Sequence, residues 1–357
     1  MKAIVTGANG LIGSNVVRAL LRAGHLVRAF VRPTSDCRSL NGLPVEIYHG
    51  DVLDPESLQN ATRNCDVLFH AAAVFSYENV VSSELEALAV EGTINAIDAA
   101  HFSKVRRVVL TSSSVIFGSS KRPLVRNEQD KPDEANNIPY IAAKQLQEQA
   151  ALAHAERLGV KLIVVCPTLT VGPYGYKLGP SNGAIVSYLR DPSKATFPGG
   201  CNIVSVRDVA QGHVLVARQG QPGEKYLLGS ENLQWSSIHR TISELCGTIG
   251  PSWQANHTTA MLVATATELL CSLAQTQPLT TRIQARMVGR YYWYEHKKAQ
   301  ELGYRPRPAR AALAEAIAWL SANSQISRQI RTTLRLSRDV FEARQTLDRD
   351  EAALQGK

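Results

Sequence analysis

An apolar run, KAIVT (Lys2–Thr6), leads into a turn of evenly spaced glycines, TGANGLIG, and then into a helix-like stretch starting near Leu11. This order constrains the fold more than any other feature of the chain. Gly7, Gly10 and Gly13 allow a tight turn, a close approach of backbone to an oxyanion, and close packing of helix on strand. A helix that begins at such a turn offers free N–H groups and a partial positive charge to an anion such as a pyrophosphate. Gly7, Asn9, Gly10, Leu11, Ile12 and Gly13 are therefore the first candidate binding residues. A glycine pattern alone is a weak signal; here the strand–loop–helix context supports it.

From this point the sequence alternates. Strands are expected over Leu26–Val31, Val45–Tyr48, Val67–His70, Arg107–Thr111 and Lys161–Cys166. Helices are expected over Leu11–Ala23, Val81–His101 and Pro139–Leu158. Such alternation predicts an α/β fold of Rossmann type, a doubly wound parallel sheet. After Pro167, glycine and proline crowd into TVGPYGYKLGPSN (Thr170–Asn182), which reads as a loop. Later elements are short: Asn202–Val206, Val209–Ala217, Tyr226–Leu228 and a helix near Ser236–Cys246. The expected organisation is a dinucleotide-binding domain over 1–170 that later segments rejoin, a smaller C-terminal substrate domain mainly over 171–322, and a charged helical tail over 323–357. In that tail Val340, Leu347 and Leu354 fall seven apart, but Thr333 breaks the series, leaving too few positions for a coiled coil.

Composition excludes several classes. With 44% hydrophobic and 20% charged residues, the 357-residue chain is globular rather than disordered. Almost all of the net charge of +8 lies within residues 281–357, yet no nucleic-acid-binding module accompanies it, so a solvated charged helix is expected there. The six cysteines are scattered without a CxxC, which predicts reduced thiols, no metal centre and a cytoplasmic setting. The N-terminus enters a strand at once and does not read as a signal peptide. Ala260–Ala274 is too short and polar to span a bilayer. It reads as a core or lid helix, with weak contact at a membrane surface as the alternative.

The chemistry sits in two stretches. PYIAAKQ (Pro139–Gln145) places Tyr140 and Lys144 one helical turn apart on a common face, where an ammonium would favour the ionised phenol. TSSSVIFG (Thr111–Gly118) follows a strand and supplies hydroxyl groups. Dinucleotide choice should be read at the end of the second strand, HLVRAFVRPTSD. Arg32 there suits a ribose 2′-phosphate, whereas Asp36 suits a free 2′-hydroxyl; the charge favours NADP(H), with NAD(H) as the alternative.

Glycine loop, serine-bearing strand and Tyr-x-x-x-Lys pair, in that order, resemble the extended short-chain dehydrogenase/reductases, the NAD-dependent epimerase/dehydratase family, over roughly residues 1–320. AFVRPTSD, GDVLDPESL, DVLFHAAA, VEGTINAIDAA, VCPTLTVGP, VSVRDVAQGH and KKAQELGY are similar to stretches of dihydroflavonol reductase-like and 3β-hydroxysteroid dehydrogenase-like members. The resemblance implies Ser113, Tyr140 and Lys144 as the catalytic set, with Lys144 also bonding the nicotinamide ribose. It implies Asp51 and Val52 at the adenine, Ala72 beside the cofactor, Pro167 and Thr168 near the nicotinamide, and Asp208 in a structural turn. It further implies a small-molecule substrate and a homodimer formed through helices flanking the Tyr–Lys motif. Two departures stand out: Ala89 where the family usually has Asn, bearing on a helix distortion or proton relay, and Ala143 where it usually has Ser. VVCPT (Val164–Thr168) replaces the asparagine-bearing motif of nucleotide-sugar enzymes, and Phe75, Tyr77, Tyr174 and Tyr176 together suit a lipophilic pocket, although each alone reads equally as ordinary core. The expected activity is hydride transfer between NADP(H) and a carbonyl or secondary alcohol. A sugar-nucleotide epimerase or dehydratase retaining its dinucleotide, and a non-catalytic dinucleotide-sensing or scaffold protein, are the alternatives.

Overall fold

The computed structural model describes residues 1–72, 82–132, 138–274 and 285–356. The first half runs β1 (Lys2–Thr6), α1 (Leu11–Arg22), β2 (Leu26–Val31), β3 (Glu46–His49), α2 (Pro55–Thr62), β4 (Val67–His70), α3 (Ser82–Phe102) and β5 (Arg107–Thr111). A two-residue strand β6 (Val125–Arg126) precedes α4 (Pro139–Leu158) and β7 (Leu162–Pro167). Then follow β8 (Leu169–Val171), α5 (Pro180–Arg190), β9 (Ala195–Thr196), β10 (Gly200–Ser205), α6 (Val206–Gln219) and β11 (Lys225–Leu228). The remainder comprises β12 (Glu231–Gln234), α7 (Trp235–Cys246), β13 (Trp253–Gln254), α8 (His257–Ala274), β14 (Tyr291–Tyr294), α9 (Lys297–Glu301), α10 (Ala309–Ala322), α11 (Arg328–Arg331) and α12 (Arg338–Leu354).

Seven strands form the main sheet in the order β11-β7-β5-β4-β1-β2-β3, every neighbouring pair parallel. The inner strands β1, β4, β5 and β7 are covered on both faces and so are largely apolar rather than alternating with polar residues. Ile4, Leu68, Leu110 and Val164 pack into the layer that holds α2, α3 and α4. Their neighbours Ala3, Val5, Phe69, Val109 and Val165 pack against α1 and α6. This is the doubly wound sheet expected from the sequence, and β11 joins it from the second half of the chain. A smaller sheet, β12-β10-β14-β6 with β8 on β10, lies beside it.

Local sequence explains the helix ends. Asp54 accepts from the backbone N–H groups of Glu56 and Ser57, with Pro55 in the first turn of α2. Pro139 opens α4, and Gly159, at φ +67°, closes it in the left-handed conformation. The expected strand limits of β3 and β7 are each displaced by one residue. Asp208 lies in the first turn of α6, where Arg307 donates to it from its backbone N–H at 2.9 Å and from Nε at 3.0 Å.

One expectation is overturned, and one choice between two readings is decided. The basic C-terminal segment is not a solvated helix: α12 packs on α10 and α1, with Val340 and Leu347 only 1% and 4% exposed. Tyr174 and Tyr176 do not line a pocket as a pair. Tyr174 is buried, 5.0 Å from Trp319 with Arg18 over its ring, and its hydroxyl donates to the Leu347 carbonyl. Tyr176 meets the other side of Trp319 at 5.2 Å. Phe75 and Tyr77 lie outside the described residues. On α8, Leu262 and Val263 are exposed while Ala264 is buried, so the helix lies on the surface rather than in the core.

Candidate active site

The strand order reverses between β1 and β4, and in sheets of this type a ligand crevice opens at that point beyond the carboxyl ends of the strands. The glycine loop sits there. Gly7 has φ +65°, and a Cβ on it would lie 2.7 Å from the Ala72 nitrogen; one on Gly13 would lie 2.1 Å from the Gly7 carbonyl oxygen. Only glycine fits at either position. Gly10 caps α1 without a side chain, and no acidic residue stands in the first turn, so the first N–H groups of the helix are offered to an anion. Ala72, expected beside a cofactor, abuts this turn and donates its N–H to Thr6 Oγ1 at 3.3 Å.

Loops after β2 and β3 complete one side. Asn9 donates from Nδ2 to the Asp36 carbonyl at 3.3 Å, tying the glycine loop to the segment after β2. Arg32 is exposed at the end of that strand. The Asp36 carboxylate is bound by Arg38 at 2.6 Å, which holds it below its ordinary pKa. Arg38 also lies over the Tyr176 ring at 4.8 Å. Sequence reasoning overlooked Arg38 as a second cation beside the ribose end; the Asp-x-Arg spacing was the available signal. Asp51 accepts from the Leu53 N–H at 3.0 Å, and the Val52 carbonyl accepts from Asn95 at 3.1 Å. Those bonds hold the turn after β3.

On the other side, β5 delivers Ser113 and α4 delivers Tyr140 and Lys144. The Ser113 hydroxyl and the Tyr140 phenol are hydrogen-bonded. Burial pushes the phenol above its usual pKa, and the bond from Ser113 pulls it back. The downward push expected from Lys144 does not dominate. Lys144 is 6% exposed, and burial lowers its pKa to about 8. Its ammonium donates to Gln147 Oε1 at 2.9 Å and to the Thr111 carbonyl at 3.3 Å. Gln147 is a second residue not foreseen, although its position three after Lys144 put it on the same face.

The remaining predicted positions divide. Pro167 ends β7, hydrogen-bonded beside β11 near the crevice. Thr168 is buried, and its hydroxyl donates to Asn202 Oδ1 at 2.8 Å, joining the two sheets. The Ala89 carbonyl accepts from Thr93 Oγ1 at 2.9 Å. All six cysteines are free, and among the described residues no group of three or more His, Cys, Asp or Glu side chains is arranged to hold a metal.

A glycine turn at a topological switch point, together with a linked Ser–Tyr pair and a buried lysine, defines a dinucleotide-dependent oxidoreductase of the extended short-chain type. The chain belongs to the NAD dependent epimerase/dehydratase family, whose model matches residues 3–229. It is 31% identical over 337 residues to a Synechocystis sp. protein provisionally named dihydroflavonol 4-reductase, covering 91% of this chain and 96% of that one. It is 30% identical over 339 residues to sterol demethylase protein B of Methylococcus capsulatus, covering 91% of this chain and all of the relative. The crystal structure of gox2253 superposes with a TM-score of 0.79 at 33% identity, covering 91% of this chain and 99% of that one. No described helix is long and apolar enough to cross a membrane.

Proposed function

We propose that the protein uses NADP(H), read through Arg32, to interconvert a carbonyl and a secondary alcohol on a lipophilic small molecule. The observation that carries this reading is the hydrogen-bonded Ser113–Tyr140 pair, with buried Lys144 one turn along the same helix as Tyr140. The residues present fit a dinucleotide. Glycine at 7 and 13 lets the turn close against Ala72 and against its own backbone, and the start of α1 carries no competing acid, so its first N–H groups are open to a pyrophosphate. Arg32, with Arg38 close by, would meet the ribose 2′-phosphate; Asp51 and Val52 would flank the adenine; Ala72, Pro167 and Lys144 would hold the nicotinamide end.

When bound, the nicotinamide supplies or accepts the hydride. Tyr140 gives or takes the proton at its phenolic oxygen, and Ser113 Oγ donates to the substrate oxygen where negative charge develops. The bond from Ser113 opposes the effect of burial on the phenol and favours its ionised form. Dihydroflavonol and sterol, in the names of the two relatives, both have a multi-ring carbon skeleton, which supports a substrate with a bulky ring system. The tyrosines of the 170–182 loop give that choice no support, since Tyr174 and Tyr176 are committed to Trp319.

Fluorescence titration with NADPH, and separately with NADH, tests the reading, followed by a screen of aromatic and alicyclic ketones for NADPH oxidation. Tighter binding of NADPH and turnover of an apolar ketone are expected. Binding of neither dinucleotide overturns the proposal.

A further inference from the structure

Behind Lys144 runs a buried chain of hydrogen bonds that the proposed reaction does not itself require. Gln147 Nε2 donates to Thr93 Oγ1 at 2.7 Å, and Thr93 Oγ1 lies 2.9 Å from the Ala89 carbonyl and 3.3 Å from His70 Nε2. His70 Nδ1 lies 2.9 Å from Thr6 Oγ1, which also accepts the Ala72 N–H. Gln147, Thr93, His70 and Thr6 are all at most 2% exposed. The chain therefore connects the lysine on α4, through α3 and β4, to the backbone beside the glycine loop.

Its direction can be worked out donor by donor. An ammonium only donates, so the oxygen of the Gln147 amide faces Lys144 and the nitrogen faces Thr93. Thr93 has one proton, and it goes to the Ala89 carbonyl, because a backbone carbonyl can only accept. Thr93 then accepts from His70 Nε2–H, and His70 Nδ1 accepts from Thr6. Burial lowers the His70 pKa to about 3, which keeps this ring neutral at physiological pH. The Gln147 amide interrupts it, because the oxygen that accepts from Lys144 and the nitrogen that donates to Thr93 are different atoms, so the chain is a fixed rest and not a proton wire.

We propose that Gln147 is the positioning residue for the Lys144 ammonium, supplying from α4 the side-chain amide that α3 lacks at Ala89. This rests on Lys144 being the contact to the nicotinamide ribose. The glutamine oxygen and the Thr111 carbonyl take two of the three ammonium N–H groups from below, which aims the remaining one. Glutamine also places a dipole against a charge that burial disfavours. The titratable groups facing the ammonium are Tyr140 and Glu148 on its own helix, Cys166 on β7 and His70 on β4. Glu148 is paired with Lys225, the Cys166 thiol and the Tyr140 phenol are raised by burial, and His70 stays neutral. Lys144 is thus the member of this group that changes charge just above neutral pH.

The test is NADPH titration by fluorescence between pH 7 and 9.5 on wild type, Gln147→Leu, Gln147→Glu and Thr93→Val. Wild-type affinity is expected to fall as Lys144 loses its charge. Gln147→Leu should bind at least fivefold more weakly at pH 7, with the midpoint of that fall moved to lower pH. Gln147→Glu, which keeps an acceptor and adds a negative charge, should bind within about threefold of wild type with the midpoint moved to higher pH. Thr93→Val leaves Gln147 in place but removes the group that orients its amide, along with the bonds to His70 and the Ala89 carbonyl, so it should shift in the direction of Gln147→Leu by less, and it serves if the leucine variant does not fold. Affinity in Gln147→Leu equal to wild type, or midpoints that do not move in opposite directions, overturns the positioning role. Wild type that binds neither NADPH nor NADH is a different result, because it removes the oxidoreductase reading itself.

Discussion

Arg18, on the first helix, meets Glu351, on the last, through two bonds of 2.8 and 2.6 Å. The same guanidinium donates to the Ser39 carbonyl at 2.8 Å, in the segment that follows the second strand. The C-terminal helix thereby supports the loop that carries Asp36 and Arg38. Arg207 strengthens the clasp by pairing with Asp350 and with Glu315.

Removing the end of the chain should therefore do more than shorten a tail. Deletion of residues 337–357 is expected to lower stability and also to weaken dinucleotide binding, since both the Leu347 contact and the Arg18 pair are lost. Glu351→Ala alone leaves the nearly buried Arg18 charge unpaired; breaking buried pairs typically costs 3–5 kcal/mol, and the partial exposure of Glu351 reduces the expectation here to about 2 kcal/mol. Urea denaturation of wild type and both variants checks this, and unchanged midpoints would show that the clasp is idle.

Tyr140→Phe removes one oxygen atom. Positioned acid–base groups contribute roughly 10²- to 10⁴-fold, so turnover of a ketone accepted by wild type should fall by that order while the NADPH dissociation constant changes little. Ser113→Ala should lower turnover as well, because it takes away the donor that pairs with the phenol. Steady-state rates and binding titrations on the same preparations separate the two effects. Full turnover by Tyr140→Phe would remove this residue from the chemistry.

Much of this architecture was legible in the sequence, for a physical reason. Strands buried on both faces read as apolar runs with clear ends, and β1, β2, β4 and β5 run between the residues expected for them. The edge strand β3 is largely exposed, its apolar signal is weaker, and its limits were off by one residue. The glycine loop and the Tyr–Lys spacing are local patterns, and so they were readable. Whether Tyr174 lines a pocket or belongs to the core is not legible locally, because its partners, Arg18, Trp319 and Leu347, come from distant parts of the chain. The tail was misread because its charges looked like solvated decoration, whereas Glu351 and Asp350 find arginines on α1 and α6. Gln147 was passed over because glutamine is common on helices and its meaning depends on Thr93, which a different helix supplies.

The glycine cradle makes its own prediction. Gly13→Ala would place a methyl group 2.1 Å from the Gly7 carbonyl oxygen, so the turn must open. We expect at least a tenfold loss of affinity for both NADPH and NADH, measured by fluorescence, with a smaller effect on the fold because the clash lies at the loop. Equal affinity in the variant would mean that the dinucleotide is held elsewhere.

Lys144 links the site to stability through pH. Burial lowers its pKa in the folded protein to about 8 from the ordinary lysine value of 10.5, so its charged form is disfavoured there. Below pH 8 both folded and unfolded states carry the proton, and the folded state bears the cost of the buried charge in full. Between pH 8 and 10.5 the unfolded chain binds more protons than the folded one, so this residue makes stability rise with pH across that window. A shift of this size corresponds to roughly 3 kcal/mol at most, less the hydrogen bonds to Gln147 and Thr111 that a replacement would forfeit. Lys144→Met is therefore expected to be inactive yet more stable than wild type at pH 7, with the difference shrinking as the pH approaches 10. Thermal melts of the two proteins at pH 7, 8, 9 and 10 measure that difference directly. A gap that is constant with pH, or a variant that is less stable at pH 7, would show that the buried ammonium is not held at the expense of the fold.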